Sequence, residues 1–268
     1  LSPASAASDV YKRQLLTFLL IRLMFFLLVL MKKVWIFYEN MGLIFSMVHP
    51  IIPFTITDPL TQSNCYIFSE GSNGLVLDPN CFEIIDQYLS QHHILPVYVV
   101  LTHEHCDHIS ALNDLRRKYN CTVISSEACS KGIQNKTLNM TRIMETYLYF
   151  KSKGTLQVSY PPFTCNPSDI TFTSSYTFYW QGHKIHGISV PGHTPGSTVW
   201  IVDDNILFSG DYFIPDEDVI TRLPGGDDVI YHLEGIPKLC ALPTPIQTFP
   251  GHKHSFLLTE EVKKKYGL

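Results

Sequence analysis

Three histidines and an aspartate fall within six residues, at His103, His105, Asp107 and His108. Neutral imidazoles and carboxylates are the side chains that divalent zinc, iron or manganese accept as ligands. Crowding them on one short segment lets several converge on a single point. If the cluster were only a polar loop with surface histidines, nothing elsewhere in the chain would need to match it. Matching residues are present. His193 sits in Pro191-Gly192-His193-Thr194-Pro195-Gly196, Asp211 follows Phe208-Ser209-Gly210, and His252 follows Phe249-Pro250-Gly251. Each ends an apolar run with a glycine turn and one ligand-type residue. These seven candidates exceed the four ligands of a tetrahedral structural site and suit two ions with a shared water.

The elements that must position these residues follow from the hydrophobic pattern. Val97 to Leu101 is β-branched and aromatic after Pro96, and reads as a buried strand. Leu112, Leu115 and Tyr119 then fall at helical spacing, with Ser110 as the expected N-cap. The first cluster is therefore expected on a strand-to-helix loop. Upstream, Ile51 to Thr57, Cys65 to Ser69 and Gly74 to Asp78 read as strands. Cys81 to His92 reads as a helix with Ile84, Ile85, Tyr88 and Leu89 on one face. His92 and His93 at its end complement the helix dipole. Downstream, Thr122 to Ser125 is a strand and Glu127 to Ile133 a short helix. Asn135 to Pro167 carries a helix around Tyr147, Leu148, Tyr149 and Phe150. A segment of that length serves either as a packing insert or as the wall of a binding site.

Two hairpins follow: Thr177–Trp180 with His183–Val190 around Gln181-Gly182, and Ser197–Val202 with Asn205–Phe208 around Asp203-Asp204. His183 and His186 lie on a strand with no glycine turn and are expected to be surface or internally satisfied residues. Asp211 to Asp228 reads as a loop, and Val229 to Cys240 as a helix interrupted at Gly235 and Pro237. A strand, Ile246 to Thr248, and a last helix, Glu260 to Tyr266 capped by Thr259, complete the pattern.

A net charge of −4 and a pI near 6.3 give no electrostatic footprint for nucleic acid. The longest basic run, Lys263-Lys264-Lys265, reads as a solvated helix face. Seven cysteines without regular spacing argue against a disulfide framework and for a reducing, cytoplasmic setting. Cys106, at a spacer position of the cluster, reads as packing rather than as a ligand. Residues 1–46 form a leader unlike the rest. Its apolar run Leu15 to Met31 is broken by Thr17 and Arg22 and flanked by Lys12-Arg13 and Lys32-Lys33. It reads as translated non-coding sequence or as a marginal membrane segment, in which case the chain is membrane-anchored through Leu15 to Met31. The domain itself is expected over residues 47–268.

The ordered set His103-x-His105-x-Asp107-His108, His193, Asp211, His252 resembles that of the metallo-β-lactamase-fold hydrolases, and within them the glyoxalase II-like branch. Coverage runs from about Cys65 to His252. The resemblance implies an α/β fold, an αββα four-layer sandwich of two mixed sheets flanked by helices. It implies that His103, His105 and His193 hold one metal ion, that Asp107, His108 and His252 hold a second, and that Asp211 bridges them. The two divalent ions would be zinc, with iron or manganese as the other candidates. Asn64 and Asp78 match an Asn before the family's second strand and an Asp ending its third, and Asp78 is expected to be structural. The implied activity is metal-dependent hydrolysis of a thioester, lactone or other activated ester of a small-molecule substrate, of the hydroxyacylglutathione hydrolase type. Hydroxide shared by the ions would be the nucleophile, with Asp107 and Asp211 fixing the metals and relaying a proton.

Pro224-Gly225-Gly226-Asp227 also looks like a loop of that branch, but Thr221-Arg222 stands where a Gly-Arg pair is usual, so the substrate stays open. Other activities share the scaffold. A mononuclear iron persulfide dioxygenase has nearly the same ligand motif, and a membrane-anchored or exported β-lactamase-like hydrolase is a further alternative. A tRNA-processing nuclease would need a basic surface and an RNA-binding arm, neither of which is evident. A non-catalytic binding module on this fold should have lost ligands, and none is missing.

Overall fold

The computed structural model describes residues 51–268; the expected leader 1–46 and the run Leu15 to Met31 lie outside the described residues. Two six-stranded sheets carry the chain, and it completes the first before starting the second. The first is β1 (Phe54–Thr57), β2 (Asn64–Glu70), β3 (Asn73–Leu77), β4 (Leu95–Val100), β5 (Thr122–Ser126) and β6 (Ile170–Phe172), side by side in sequence order. The first three strands are antiparallel neighbours, and β3 to β6 run parallel. Parallel neighbours need crossovers. They are supplied by α1 (Phe82–Gln91), by α2 (Cys106–Ile109) with α3 (Leu112–Tyr119), and by α4 (Glu127–Gly132) with the insert that carries α5 (Met144–Lys151). The second sheet is β7 (Ser175–Trp180), β8 (His183–Ser189), β9 (Thr198–Val202), β10 (Ile206–Gly210), β11 (Ile246–Pro250) and β12 (Phe256–Leu258). Within it only β10 and β11 pair in parallel. Their crossover holds α6 (Asp228–Ile230), a widened π turn (Tyr231–Gly235) and α7 (Ile236–Cys240), and α8 (Glu260–Lys265) closes the chain.

The sheets face each other across Tyr66, Phe68, Leu75, Leu77 and Val100 on one side and Ile185, Trp200, Val202 and Phe208 on the other. The outer face of the first sheet packs Ile67, Val76, Val99 and Val123 against Ile85, Leu89, Leu112 and Leu115 of α1 and α3. Val199, Ile201 and Leu207 do the same for the second sheet against Tyr231 and Leu239. With both faces covered, β2, β3, β9 and β10 are buried along most of their length, which is why they read as apolar runs rather than as alternations. The result is the expected αββα sandwich. Trp200 fastens its middle: the indole donates to the Leu101 carbonyl at 2.9 Å. A Cβ on Gly187 would come within 2.6 Å of the Trp200 ring, so that position has to be bare. Burial of a large apolar side chain of this kind contributes about 1.5–3 kcal/mol.

The pattern misplaced some local features. Ser110 caps no helix; its hydroxyl donates to the Asn80 carbonyl, and a first helical turn has already formed over α2. Ile84 is exposed, and α1 buries Ile85 and Leu89 instead. Lys263 is not on a solvated face: it is 2% exposed, and its ammonium donates to the carbonyls of Cys240 and Leu242 at 2.9 and 2.6 Å. All seven cysteines are free, and Cys106 is buried in packing as expected. His183 is buried and satisfied by Asp203 at 2.6 Å, while His186 is half-buried with Thr177 at 2.7 Å. Among the described residues no helix is long and apolar enough to cross a membrane.

Candidate metal centre

The ends of β4, β10 and β11, together with the β8–β9 connection, meet at one rim of the sandwich, and each delivers its ligand-type residues there. His103 and His105 follow the end of β4, His105 in extended backbone, and the α2 turn then brings in Asp107 and His108. His193 enters from the loop between β8 and β9, Asp211 from the end of β10 and His252 from the end of β11. All seven sequence candidates thereby come together in two adjacent sets. Ligand atoms of His103, His105, His193 and Asp211 lie within 4.8 Å of one another, as do those of Asp107, His108 and His252.

Asp211 touches both sets. Its Oδ1 lies 3.3 Å from His108 Nε2, and its Oδ2 lies 3.5 Å from His193 Nε2, 3.7 Å from His252 Nε2 and 4.0 Å from His103 Nε2. Asp107 Oδ2 is 3.4 Å from His252 Nε2. Glycine makes this closeness possible. A Cβ on Gly251 would sit 2.2 Å from Asp211 Oδ1 and 2.9 Å from His108.

Hydrogen bonds behind the rings determine which nitrogen faces inward. His193 Nδ1 donates to the Ile220 carbonyl at 2.7 Å, and His252 Nδ1 to the Gln62 carbonyl at 2.9 Å. His108 Nδ1 donates to Asp78 Oδ2 at 3.1 Å. Thr102 gives its hydroxyl proton to the same Asp78 oxygen at 2.5 Å, so its own oxygen accepts from His103 Nδ1 at 2.9 Å. In each ring the proton is held on Nδ1 and the lone pair on Nε2 is turned to the centre, the usual way an outer partner prepares a metal-ligating histidine. His105 is the exception, with Nδ1 3.1 Å from His193 Nε2.

Burial lowers the proton affinity of His103 and His193, and pushes His105 down to about 3 with help from neighbouring His193. Burial works the same way on His108 and His252, but the carboxylates Asp107 and Asp211 outweigh it and lift both rings. Burial would raise Asp107 and Asp211, yet the histidines beside them hold both below the usual carboxylate range.

The donor set fits divalent cations on a test internal to the structure. Among the described residues, His103 Nε2, His105 Nε2, His108 Nε2 and Asp211 Oδ1 are buried polar atoms with no hydrogen-bond partner. Leaving one such atom unmet costs about 1–3 kcal/mol. Three of them, His103 Nε2, His108 Nε2 and Asp211 Oδ1, lie at the centre, an arrangement that a cation resolves.

Residues behind the rim hold the candidate ligands in place: Asp78 has the structural role expected of it and Asn64 was also singled out in the sequence, whereas Thr102, Glu104 and Tyr212 were not. Asp78, 1% exposed, also accepts from the Thr102 amide at 2.7 Å and so anchors the start of the loop. Asn64 donates to the carbonyls of Pro250 and Lys253, clamping the His252 loop to the other sheet. Tyr212 accepts from the His193 amide and donates to the Val190 carbonyl. Glu104, the spacer inside His-x-His, is buried; burial pushes its carboxyl up to about 7, and it accepts from Thr194 at 2.9 Å. Thr102 and Glu104 adjoin the motif and could have been suspected. Tyr212 had no signal beyond its place next to Asp211.

Known proteins resemble this chain in sequence and in fold. A "probable metallo-hydrolase" of Bacillus subtilis is 26% identical over 203 residues, covering 75% of this chain and 90% of that protein. A hydroxyacylglutathione hydrolase of Synechococcus is 36% identical over 62 residues, only 23% of this chain and 25% of its own length. Among solved structures, the BLEG-1 B3 metallo-beta-lactamase shares the fold with a TM-score of 0.65 at 22% identity, covering 81% of this chain and 97% of that one. A family model described as the metallo-beta-lactamase superfamily matches residues 58–239. That match runs from the β1–β2 turn into α7 and takes in six of the seven gathered residues, and the chain belongs to the metallo-beta-lactamase superfamily.

Proposed function

We propose that this metallo-hydrolase cleaves a thioester, or another activated ester, of a small molecule at two divalent ions, zinc before iron or manganese. The observation that carries the reading is the position of Asp211 between two complete sets of ligand atoms. His103, His105 and His193 would hold one ion, Asp107, His108 and His252 the other, and Asp211 both. Ions bound there supply acidification of a water from a pKa of 15.7 toward about 7 and polarisation of a carbonyl oxygen.

The chain's own residues supply the remaining parts. The Nδ1 bonds to Ile220, Gln62, Asp78 and Thr102 hold the rings so that nothing needs to reorganise during reaction. Asp107 and Asp211 line the pocket over the centre, where either carboxylate can take a proton from the attacking water. In the balanced step a C–O bond forms at the carbonyl carbon and the C–S bond breaks. The leaving thiolate takes up one proton, and the products are a carboxylate, a thiol and one proton released to solvent. The partial likeness to a hydroxyacylglutathione hydrolase supports a thioester over a lactone. Seven free cysteines support a cytoplasmic setting.

The test is release of free thiol from a panel of thioesters by the purified, metal-loaded full chain, run beside lactones and simple esters. Thiol release that disappears on chelation and returns with metal is the expected result. Oxygen consumption with a persulfide substrate, and no hydrolysis of any panel member, would instead establish the dioxygenase alternative.

A further inference from the structure

The pocket over the metal centre has a volume of about 460 Å³, ample for a small organic substrate. Its floor is His105, Asp107, Asp211 and His252. The walls are unlike the floor. The insert contributes Met140, Met144 and Tyr147, and the loop after β10 contributes Ile214, Ile220 and Leu223. Thioether and aromatic side chains on one side and branched aliphatics on the other make a lining that adapts to an alkyl chain.

Two ammonium groups stand at this pocket, and they are not equivalent. Lys253 is already used: its Nζ lies 2.8 Å from Glu217 and donates to the Pro215 carbonyl at 2.6 Å. Lys151, at the last position of α5, is exposed and has no carboxylate partner among the described residues. Its Nζ stands 5.4 Å from the centre of the Tyr147 ring, which places it over a side chain that itself lines the pocket. The Tyr147 hydroxyl has no hydrogen-bond partner among the described residues either. The pocket therefore joins a charged metal floor to apolar walls, with one uncommitted cation at its mouth.

We propose that the insert selects the substrate: the acyl part is an apolar chain of several carbons held against Met140, Met144 and Leu223, and the leaving thiol carries an anionic group that Lys151 binds. The anion is a carboxylate or a phosphate, either of which satisfies an ammonium. The assignment of ends follows from exposure. Met140 and Met144 are buried, whereas Lys151 stands where a long leaving group would emerge into solvent. This inference rests on the thioesterase reading above, so its test needs one readout that does not depend on turnover.

Two measurements on the metal-loaded full chain suffice. The first is kcat/KM for acetyl, butyryl and hexanoyl thioesters of three thiols: a neutral one (N-acetylcysteamine), one with a carboxylate (3-mercaptopropionate) and one with a phosphate (4′-phosphopantetheine). The second is calorimetric binding of the matching S-hexyl thioethers, which cannot be hydrolysed. Hexanoyl should exceed acetyl by about tenfold or more, since each buried methylene contributes measurably to selection. At least one anionic thiol should exceed the neutral one by about five- to tenfold in both readouts, the effect of one charge-assisted hydrogen bond reduced by solvent screening at an exposed lysine. The carboxylate and phosphate arms tell which anion is used. Lys151→Ala should bring the anionic-to-neutral ratio to about one and Lys151→Glu should invert it, while Lys153→Ala, an exposed lysine of the same insert outside the pocket lining, should leave the ratio as in the wild type. Equal binding of neutral and anionic thioethers by the wild type, or an anion preference that survives Lys151→Ala, would overturn the proposal. Lys151-dependent binding with no hydrolysis of any thioester would keep the pocket assignment and sink the thioesterase reading.

Discussion

Asp211→Asn is expected to lower hydrolysis by about two to four orders of magnitude while the protein stays folded. The substitution keeps size and removes charge. Among the described residues Asp211 is the one carboxylate within 4.0 Å of histidines of both sets, so it is the group that can hold two cations close together against their repulsion. The set of His103, His105 and His193 keeps its three imidazoles, so the loss should fall mainly on the metal held by Asp107, His108 and His252. Asp211 lies at the rim rather than in the sheet core, and circular dichroism of the variant should match the wild type. A variant with unchanged metal content and wild-type turnover would show Asp211 to be an ordinary turn aspartate.

Asp78→Ala should harm both stability and metal binding, although Asp78 is expected to touch no substrate. Its buried carboxylate accepts from the Thr102 amide, the Thr102 hydroxyl and His108 Nδ1. Removing it strands three donors in the interior at roughly 1–3 kcal/mol each before relaxation. A net loss of about 3–5 kcal/mol corresponds to a fall in Tm of roughly 6–20 °C for a domain of this size. His108 and, through Thr102, His103 would lose the bonds that fix their tautomers, at a cost of about 10–100-fold in metal affinity. Thermal unfolding followed with and without added metal separates the two effects. A variant with wild-type Tm and metal affinity would show that the ligand loop orients itself without Asp78.

The candidate ligand residues were legible because four crowd onto one short segment after a buried strand, and the other three, His193, Asp211 and His252, each follow a glycine at the end of an apolar run. Strand ends were themselves legible, since strands covered on both faces read as apolar runs. Of the network behind the ligands, Asp78 was expected as a structural residue, but its partners were not legible. Asp78 and Thr102 are 24 residues apart, and only the parallel pairing of β3 with β4 brings them together. Glu104 was hidden for a different reason: a spacer in a metal motif is expected to point away, and here it is fastened to Thr194 across the two halves of the chain.

The insert was ambiguous on physical grounds. Met140 and Met144 pack with Cys106 and Leu148 and also line the pocket, and an apolar helix face looks the same in sequence whether it meets a core or a substrate. The edge strands β6 and β12 have three residues each, too few to show a period. Lys263 was misread because a basic run near the end of a chain is usually solvated, and only the fold reveals the two carbonyls that accept its ammonium.

The account stands most directly on the number of ions the centre holds. Elemental analysis of fully loaded, folded wild-type protein, normalised to protein by amino-acid analysis, should give close to two equivalents of zinc, iron or manganese per chain, one for each of the two adjacent ligand sets. One equivalent or fewer, with the protein folded and metal in excess during loading, would contradict the bridged centre and favour a mononuclear iron site.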